Sequence, residues 1–328
     1  RSSDLTLALS FCVNSFAAAT TATASETQTG TSEAQTDTSK TQADTSEAQT
    51  DTSKVQAGAS YGISNLSGAP DIVAESAVVM DANTGTILYG KEADTKRYPA
   101  SITKVMTALL AVENCKMSDV ITYSNAAVNG IEAGSSTAGI NVGAKLTVED
   151  SLYALMLVSA NEAAAAIAEH ISGSTTEFAK LMTKRAKELG CTNTQFKNPH
   201  GLPNEEHYTS AHDMALITQA AMKYDKFREI IHTQEYSYPE TNLVKEKRYF
   251  ANHHGMLMDE SRAYDGFIGG KTGYTDEAWN TLVSTAERNG MLLISVVLHA
   301  PGQERERSEE HTSELQSPRY LVCRLLLE

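Results

Sequence analysis

The sequence predicts an α/β (α+β) fold, an antiparallel sheet flanked by helices. Three observations carry that prediction. β-rich runs stand at both ends of the folded stretch, helical periodicity fills its middle, and Asn289-Gly290 joins the last two runs. Asn-Gly suits a two-residue hairpin because both residues tolerate positive φ. Strands at the two sequence ends with helices between them predict an antiparallel sheet that brings those ends together.

The elements follow in order. Ser76–Asp81 (SAVVMD) and 86–89 (TILY) read as strands around a turn at Asn83-Thr84-Gly85. Pro99 then breaks the chain, and 102–113 reads as a helix. Val148–Leu157 is a second helix, ending before Ser159. An Ala-rich helix is expected over 162–171, an amphipathic one over 175–189, and another over 211–224. The runs 279–287 and 291–299 are the closing strands.

The flanks read differently. Residues 6–19 (TLALSFCVNSFAAA) form a short apolar run ending in small residues, the remnant of a secretory signal peptide with Ala17-Ala18-Ala19 near the cleavage point. A lipid anchor at Cys12 would want a small residue before it, and Phe11 stands there. Residues 20–68 are expected to form a disordered Ser/Thr-rich stalk: SEAQTDTSK occurs at 32–40 and again at 46–54, a period of 14 residues. Nearly free of large apolar side chains, such a segment cannot offset its ordering entropy. Residues 307–316 (RSEEHTSELQ), 321–328 (LVCRLLLE) and 1–5 (RSSDL) match a common sequencing adapter translated as protein. Residues 1–5 and 307–328 are therefore set aside, and the folded domain is expected over 69–306, truncated at its C-terminal end.

Composition narrows the function. Of 328 residues 41% are hydrophobic, enough for a sizeable core, and the net charge is −14. With a pI near 5.1 the chain lacks the basic stripe that phosphate binding needs, so nucleic acid is a poor partner. No apolar stretch is long enough to predict a transmembrane helix. Of four cysteines, Cys323 lies in the adapter-like tail and Cys12 in the leader. Cys115 and Cys191 remain, with no metal-like spacing; one disulfide or two buried free thiols fit, and the thiols are favoured.

Three motifs carry chemistry. Ser101-Ile102-Thr103-Lys104 puts an amine and a hydroxyl on one helix face, at a helix N-terminus that favours negative charge. A lysine can activate that hydroxyl if its pKa is depressed. Ser159-Ala160-Asn161 falls between two helices, where two polar side chains can face a cleft. Lys271-Thr272-Gly273 follows Gly269-Gly270, and glycine at a strand edge lets a substrate backbone approach closely. Each alone is weak: an N-cap serine, a helix stop and a solvated turn would look the same. Together, in this order, they are the Ser-x-x-Lys, Ser-x-Asn and Lys-Thr-Gly set shared by penicillin-binding proteins and class A β-lactamases. The gaps are 58 residues from Ser101 to Ser159 and 110 from Asn161 to Lys271.

The wider context resembles the D-alanyl-D-alanine carboxypeptidases among low-molecular-weight serine penicillin-binding proteins. VVMDANTGTILYGKEADTKRYPASITKVMTALLA, LMLVSANEAAAAIAEHI, FKNPHGLP and DGFIGGKTGYTDEAWNTLVSTAER carry the likeness. The resemblance implies a β-lactamase/transpeptidase-like fold with a helical subdomain and the active site between sheet and helices. It implies Ser101 as nucleophile, Lys104 as base, Ser159 as proton relay to the leaving amine and Asn161 as the group orienting the substrate amide. Lys271, Thr272, Gly273 and Tyr274 would bind substrate, with the Ser101 and Tyr274 N–H groups as the oxyanion hole. The implied partners are peptidoglycan stem peptides and β-lactams, the location extracytoplasmic, at the cell wall or the outer face of the membrane. Membrane attachment would need a C-terminal region beyond this sequence. No metal or cofactor is implied. His200 is read as structural, and His253 and His254 as surface residues. Trp279 stands where the family leads one to expect Gly.

Two other readings remain. A class A β-lactamase needs a deacylating Glu in a Glu-x-x-Leu-Asn setting, and no such string lies between Asn161 and Lys271. A non-catalytic wall-binding protein of the same fold would have no reason to keep every motif residue.

Overall fold

The computed structural model describes residues 72–301 except 239, 261 and 262. The signal-peptide, stalk and adapter readings lie outside the described residues. In chain order the elements are β1 (Ser76–Asp81), β2 (Thr86–Lys91), a 3-10 turn (Ala100–Thr103), α1 (Lys104–Asn114), β3 (Val120–Thr122) and α2 (Asn125–Asn129). Then come β4 (Lys145–Thr147), α3 (Val148–Leu157), α4 (Asn161–Ser172), α5 (Thr175–Glu188), α6 (Ala211–Ala221) and α7 (Asp225–His232). β5 (Glu235–Tyr238), β6 (Arg248–Ala251), α8 (Gly255–Met258), β7 (Phe267–Thr275), β8 (Trp279–Arg288) and β9 (Met291–Ala300) complete the chain.

The main sheet has the order β2-β1-β9-β8-β7 and every pairing is antiparallel. The first and last strands are thus neighbours, as the sequence predicted, with Val78 opposite Val296. Period-two alternation divides the faces. Val78, Met80, Ile294, Val296 and Leu298 join the large core under the helices, whereas Ala77, Val79, Leu293 and Val297 pack on the other face. Each fully buried Val, Leu or Ile side chain contributes about 1.5–3 kcal/mol. At the β8–β9 turn Asn289 and Gly290 have φ of 53° and 79°, the positive pair that a type I′ hairpin requires.

The helices start where local chemistry dictates. Thr147 and Asp150 form a reciprocal capping box on α3. Ser174 caps α5 and Ser210 caps α6, each side chain accepting the backbone N–H three residues on. Gly173 closes α4 at a φ of 76°. α6 lies on β1 and β9, and α1 packs against α6, α3 and α4. This brings the N-terminal end of α1 beside β7, the edge strand of the sheet.

The predicted helix over 102–113 begins differently. Its first turn is a 3-10 segment, and the α-helix starts at Lys104. Two short ribbons, β3–β4 and β5–β6, were not predicted, nor were α2, α7 and α8. Cys115 and Cys191 are both free thiols; Cys191 is buried and Cys115 only partly so. Among the described residues, no helix is long and apolar enough to cross a membrane.

Candidate active site

The turn that carries Ser101 is built from strained and crowded backbone. Ala100 sits at a φ of 50° before Ser101, and a Cβ on Gly201 would stand 1.8 Å from the Ala100 carbonyl oxygen. The Thr281 hydroxyl donates to the Pro99 carbonyl at 2.8 Å, pinning the turn to β8. Behind it, the Lys197 N–H donates to His207 Nδ1 at 3.1 Å, so Nε2 carries the ring proton and faces Thr103 Oγ1 at 2.9 Å. Burial holds His207 at a pKa of about 3, which keeps that tautomer neutral.

Lys104 is fully buried. Its Nζ donates to Ser101 Oγ at 3.0 Å, Asn161 Oδ1 at 2.7 Å and the His200 carbonyl at 2.8 Å. All three acceptors are neutral oxygens. Desolvation pulls the amine well below its ordinary pKa, the positive charge of Lys271 pulls it further, and Glu162 opposes them. A neutral amine would present its lone pair to the Ser101 hydroxyl, the arrangement a general base needs.

Ser159 connects α3 to α4 at a φ of 59°. Its Oγ is buried and has no hydrogen-bond partner among the described residues. Ser159 also borders the cavity on the side of α3 and α4. Asn161 opens α4, and its backbone N–H donates to the Ser136 carbonyl at 3.0 Å.

β7 supplies the opposite wall. A Cβ on Gly273 would lie 2.5 Å from Thr281 Oγ1 and 2.8 Å from the Ser101 nitrogen. Only glycine allows the edge strand so near the Ser101 N–H. Lys271 is buried behind the strand and donates to the Thr272 carbonyl at 2.8 Å. Desolvation lowers its pKa to about 7.

Between these walls lies a cavity of about 480 Å³, within the range of small-molecule sites. Ser101, Ser159, Asn161, Thr272, Gly273 and Tyr274 line it; Lys104 and Lys271 stand behind the lining. The structure therefore brings together all eight residues singled out from sequence. His200 enters through its carbonyl. His253 is exposed at the cavity wall, but the surface reading of His254 is corrected: it is 2% exposed, with Nε2 at 3.1 Å from Ser284 Oγ. The neighbouring Gly270 leaves its ring the space it needs, since a Cβ there would come within 3.1 Å of it. Trp279 adopts a φ of 53°, a conformation suited to the glycine expected there, and stacks on His299 with ring centroids 4.1 Å apart. Glu162 and His207 were not singled out. A Glu in the first turn of a helix is ordinary, and nothing in sequence tied His207 to the turn at Thr103. Among the described residues no cluster of His, Cys, Asp or Glu could hold a metal ion.

An antiparallel sheet with Lys-Thr-Gly on its edge strand, facing a Ser-x-x-Lys turn across a cleft, defines the β-lactamase/transpeptidase-like class. The Streptomyces K15 DD-transpeptidase superposes with a TM-score of 0.67 at 32% identity, covering 77% of this chain and 98% of that one. A D-alanyl-D-alanine carboxypeptidase from Mycobacterium tuberculosis gives 0.65 at 30% identity, covering 72% and 86%. Among curated proteins, DacF of Bacillus subtilis, a D-alanyl-D-alanine carboxypeptidase, is 39% identical over 247 residues, 74% of this chain and 61% of that protein. DacA of Escherichia coli, of the same description, is 36% identical over 71% of this chain and 58% of its own length. The chain thus spans about six-tenths of the length of these curated relatives. A profile of the D-alanyl-D-alanine carboxypeptidase family matches residues 64–302, and the chain belongs to that family.

Proposed function

We propose that the chain is a serine D-Ala-D-Ala carboxypeptidase that removes the terminal D-alanine from peptidoglycan stem peptides outside the cytoplasm. The observation that carries this reading is the buried amine of Lys104, poised to be neutral, 3.0 Å from the Ser101 hydroxyl in a cavity edged by β7.

The chemistry runs as acyl transfer. Lys104 takes the Ser101 proton as Oγ attacks the carbonyl between the two D-alanines. The Ser101 and Tyr274 N–H groups face the developing oxyanion, and each such donor contributes about 10²–10³ in rate. The Ser159 hydroxyl passes a proton to the leaving amine as the peptide bond breaks. Asn161 orients the substrate amide, its own oxygen held by Lys104 at 2.7 Å. Thr272 meets the terminal carboxylate in the cavity, and Lys271 supplies positive charge from behind it. Water then cleaves the acyl-enzyme and frees Ser101. A β-lactam opens on the same nucleophile and leaves slowly; no Glu-x-x-Leu-Asn string of the kind a class A β-lactamase uses for deacylation lies between Asn161 and Lys271. The leader and stalk expected at 6–68 fit a protein that works at the cell wall.

Intact mass after incubation with penicillin tests this. One persistent adduct per chain, absent from Ser101→Ala, is expected. Fast turnover of penicillin without a lasting adduct would favour a β-lactamase, and a folded chain that neither binds nor hydrolyses it would be a non-catalytic relative.

A further inference from the structure

Glu162 is 2% exposed and lies one residue after Asn161, in the first turn of α4. Its Oε1 accepts from the Thr137 hydroxyl at 2.7 Å, the Ala138 N–H at 2.7 Å and the Ile140 N–H at 3.3 Å. Its Oε2 has no hydrogen-bond partner among the described residues. A buried carboxyl with one oxygen unsatisfied is costly, and that cost is set against the three donors its other oxygen satisfies. Its partners explain why it stands there. All three donors come from the loop between α2 and β4, which has no helix or strand of its own. That loop places Gly134, Ser135 and Ser136 in the cavity wall. The Asn161 N–H holds the Ser136 carbonyl, so two consecutive residues of α4 grip the loop, one through backbone and one through side chain.

We propose that Glu162 is a positioning residue: its carboxyl latches the 134–140 loop to the Asn161 turn, so that the cavity wall and the group orienting the substrate amide hold one geometry through acylation and release. The inference rests on the acyl-transfer reading for its catalytic consequence, but the latch exists in the free protein.

The charge adds a separable effect. Lys104 faces Lys271 from β7, the His200 carbonyl and neutral ring from the loop between α5 and α6, Ser101 from its own turn, and Asn161 and Glu162 from α4. Burial pushes the phenols of Tyr123 and Tyr238 upward, and the carboxyl of Glu162 adds a smaller push to each. Because Glu162 raises the proton affinity of Lys104, neutralising it lowers that affinity. The base then becomes free at lower pH.

The test compares the full chain with Glu162→Ala and Glu162→Gln by amide hydrogen exchange without ligand and by benzylpenicillin acylation across pH. Glu162→Ala is expected to speed exchange over 134–140 by about 10-fold or more, leaving α1 and β7 protected. Its acylation should fall about 10²-fold, the penalty of a misplaced wall. Glu162→Gln keeps an acceptor oxygen and is expected to restore most of the protection, with the acid limb of acylation moved to lower pH. Unchanged loop exchange in Glu162→Ala overturns the latch. Loosened exchange with wild-type acylation reduces Glu162 to a structural residue and overturns its role in catalysis, and a Gln variant that recovers loop protection with no movement of the pH profile overturns the charge effect on Lys104. A wild-type chain that penicillin never acylates would instead overturn the enzymatic reading, while the exchange data still decide the latch.

Discussion

At the scale of single residues, two buried lysines divide the work of the site by their surroundings. Burial strips Lys104 of solvent and the charge of Lys271 adds to that, so its amine is pushed towards the neutral state that a base needs. Lys271 is lowered only to about 7, by desolvation, and keeps much of its charge near neutrality. These directions fix the pH profile. Acylation should rise as pH climbs through the depressed pKa of Lys104. It should fall again above about 7, as Lys271 loses the charge that attracts a carboxylate. In Lys271→Met the alkaline limb should vanish. The acid limb should move to higher pH, because Lys271 no longer depresses Lys104. The second-order rate of penicillin acylation against pH is the measurement, and an alkaline limb that survives in Lys271→Met would show that another group produces it.

At the scale of elements, the site depends on how near β7 comes to the 3-10 turn. Gly273 decides this. An added methyl would meet Thr281 Oγ1 at 2.5 Å, and that hydroxyl is committed to the Pro99 carbonyl. Gly273→Ala should therefore push strand and turn apart and slow acylation about 10²-fold. Gly290→Ala is the control. It sits at a φ of 79° with nothing within 4 Å, so it should cost about 1 kcal/mol of stability through backbone strain and leave acylation unchanged. Acylation rates and melting temperatures of the two variants separate the effects; similar rates in both would mean that strand approach does not limit the chemistry.

At the scale of the whole molecule, three histidines are held neutral by burial: His200 and His207 at about 3 and His254 at about 4. Each is depressed below its ordinary value of 6.5, so the unfolded chain binds more protons than the folded one in between. Their contribution is complete above about pH 6.5 and is lost as pH falls towards 4 and 3. Melting temperature should therefore drop between about pH 6.5 and about pH 5, above the range where most carboxylates titrate. A flat curve over that window would mean that the three rings have more room for a proton than their packing indicates. The loss would reach the site directly, because His207 braces Thr103 and His200 offers its carbonyl to Lys104.

What the sequence by itself determined is local or ordered along the chain. Val148–Leu157 begins and ends where its capping residues and the following Ser159 place it, and Asn289-Gly290 makes its hairpin because positive φ is a property of those two residues. The three motifs were legible because their spacing and order are written in one dimension. The ribbons β3–β4 and β5–β6 were not, since strands of three or four residues carry too few side chains to show a period. His254 read as a surface residue because no carboxylate partner is evident for it in sequence, yet packing beside Gly270 and Ser284 buries it. Glu162 and His207 reach their partners across 22 to 25 and 104 residues, and no local pattern records such pairs. The depressed proton affinity of Lys104 likewise belongs to the tertiary structure alone: desolvation and the charge of a lysine 167 positions away arise only once helix and edge strand have closed on each other.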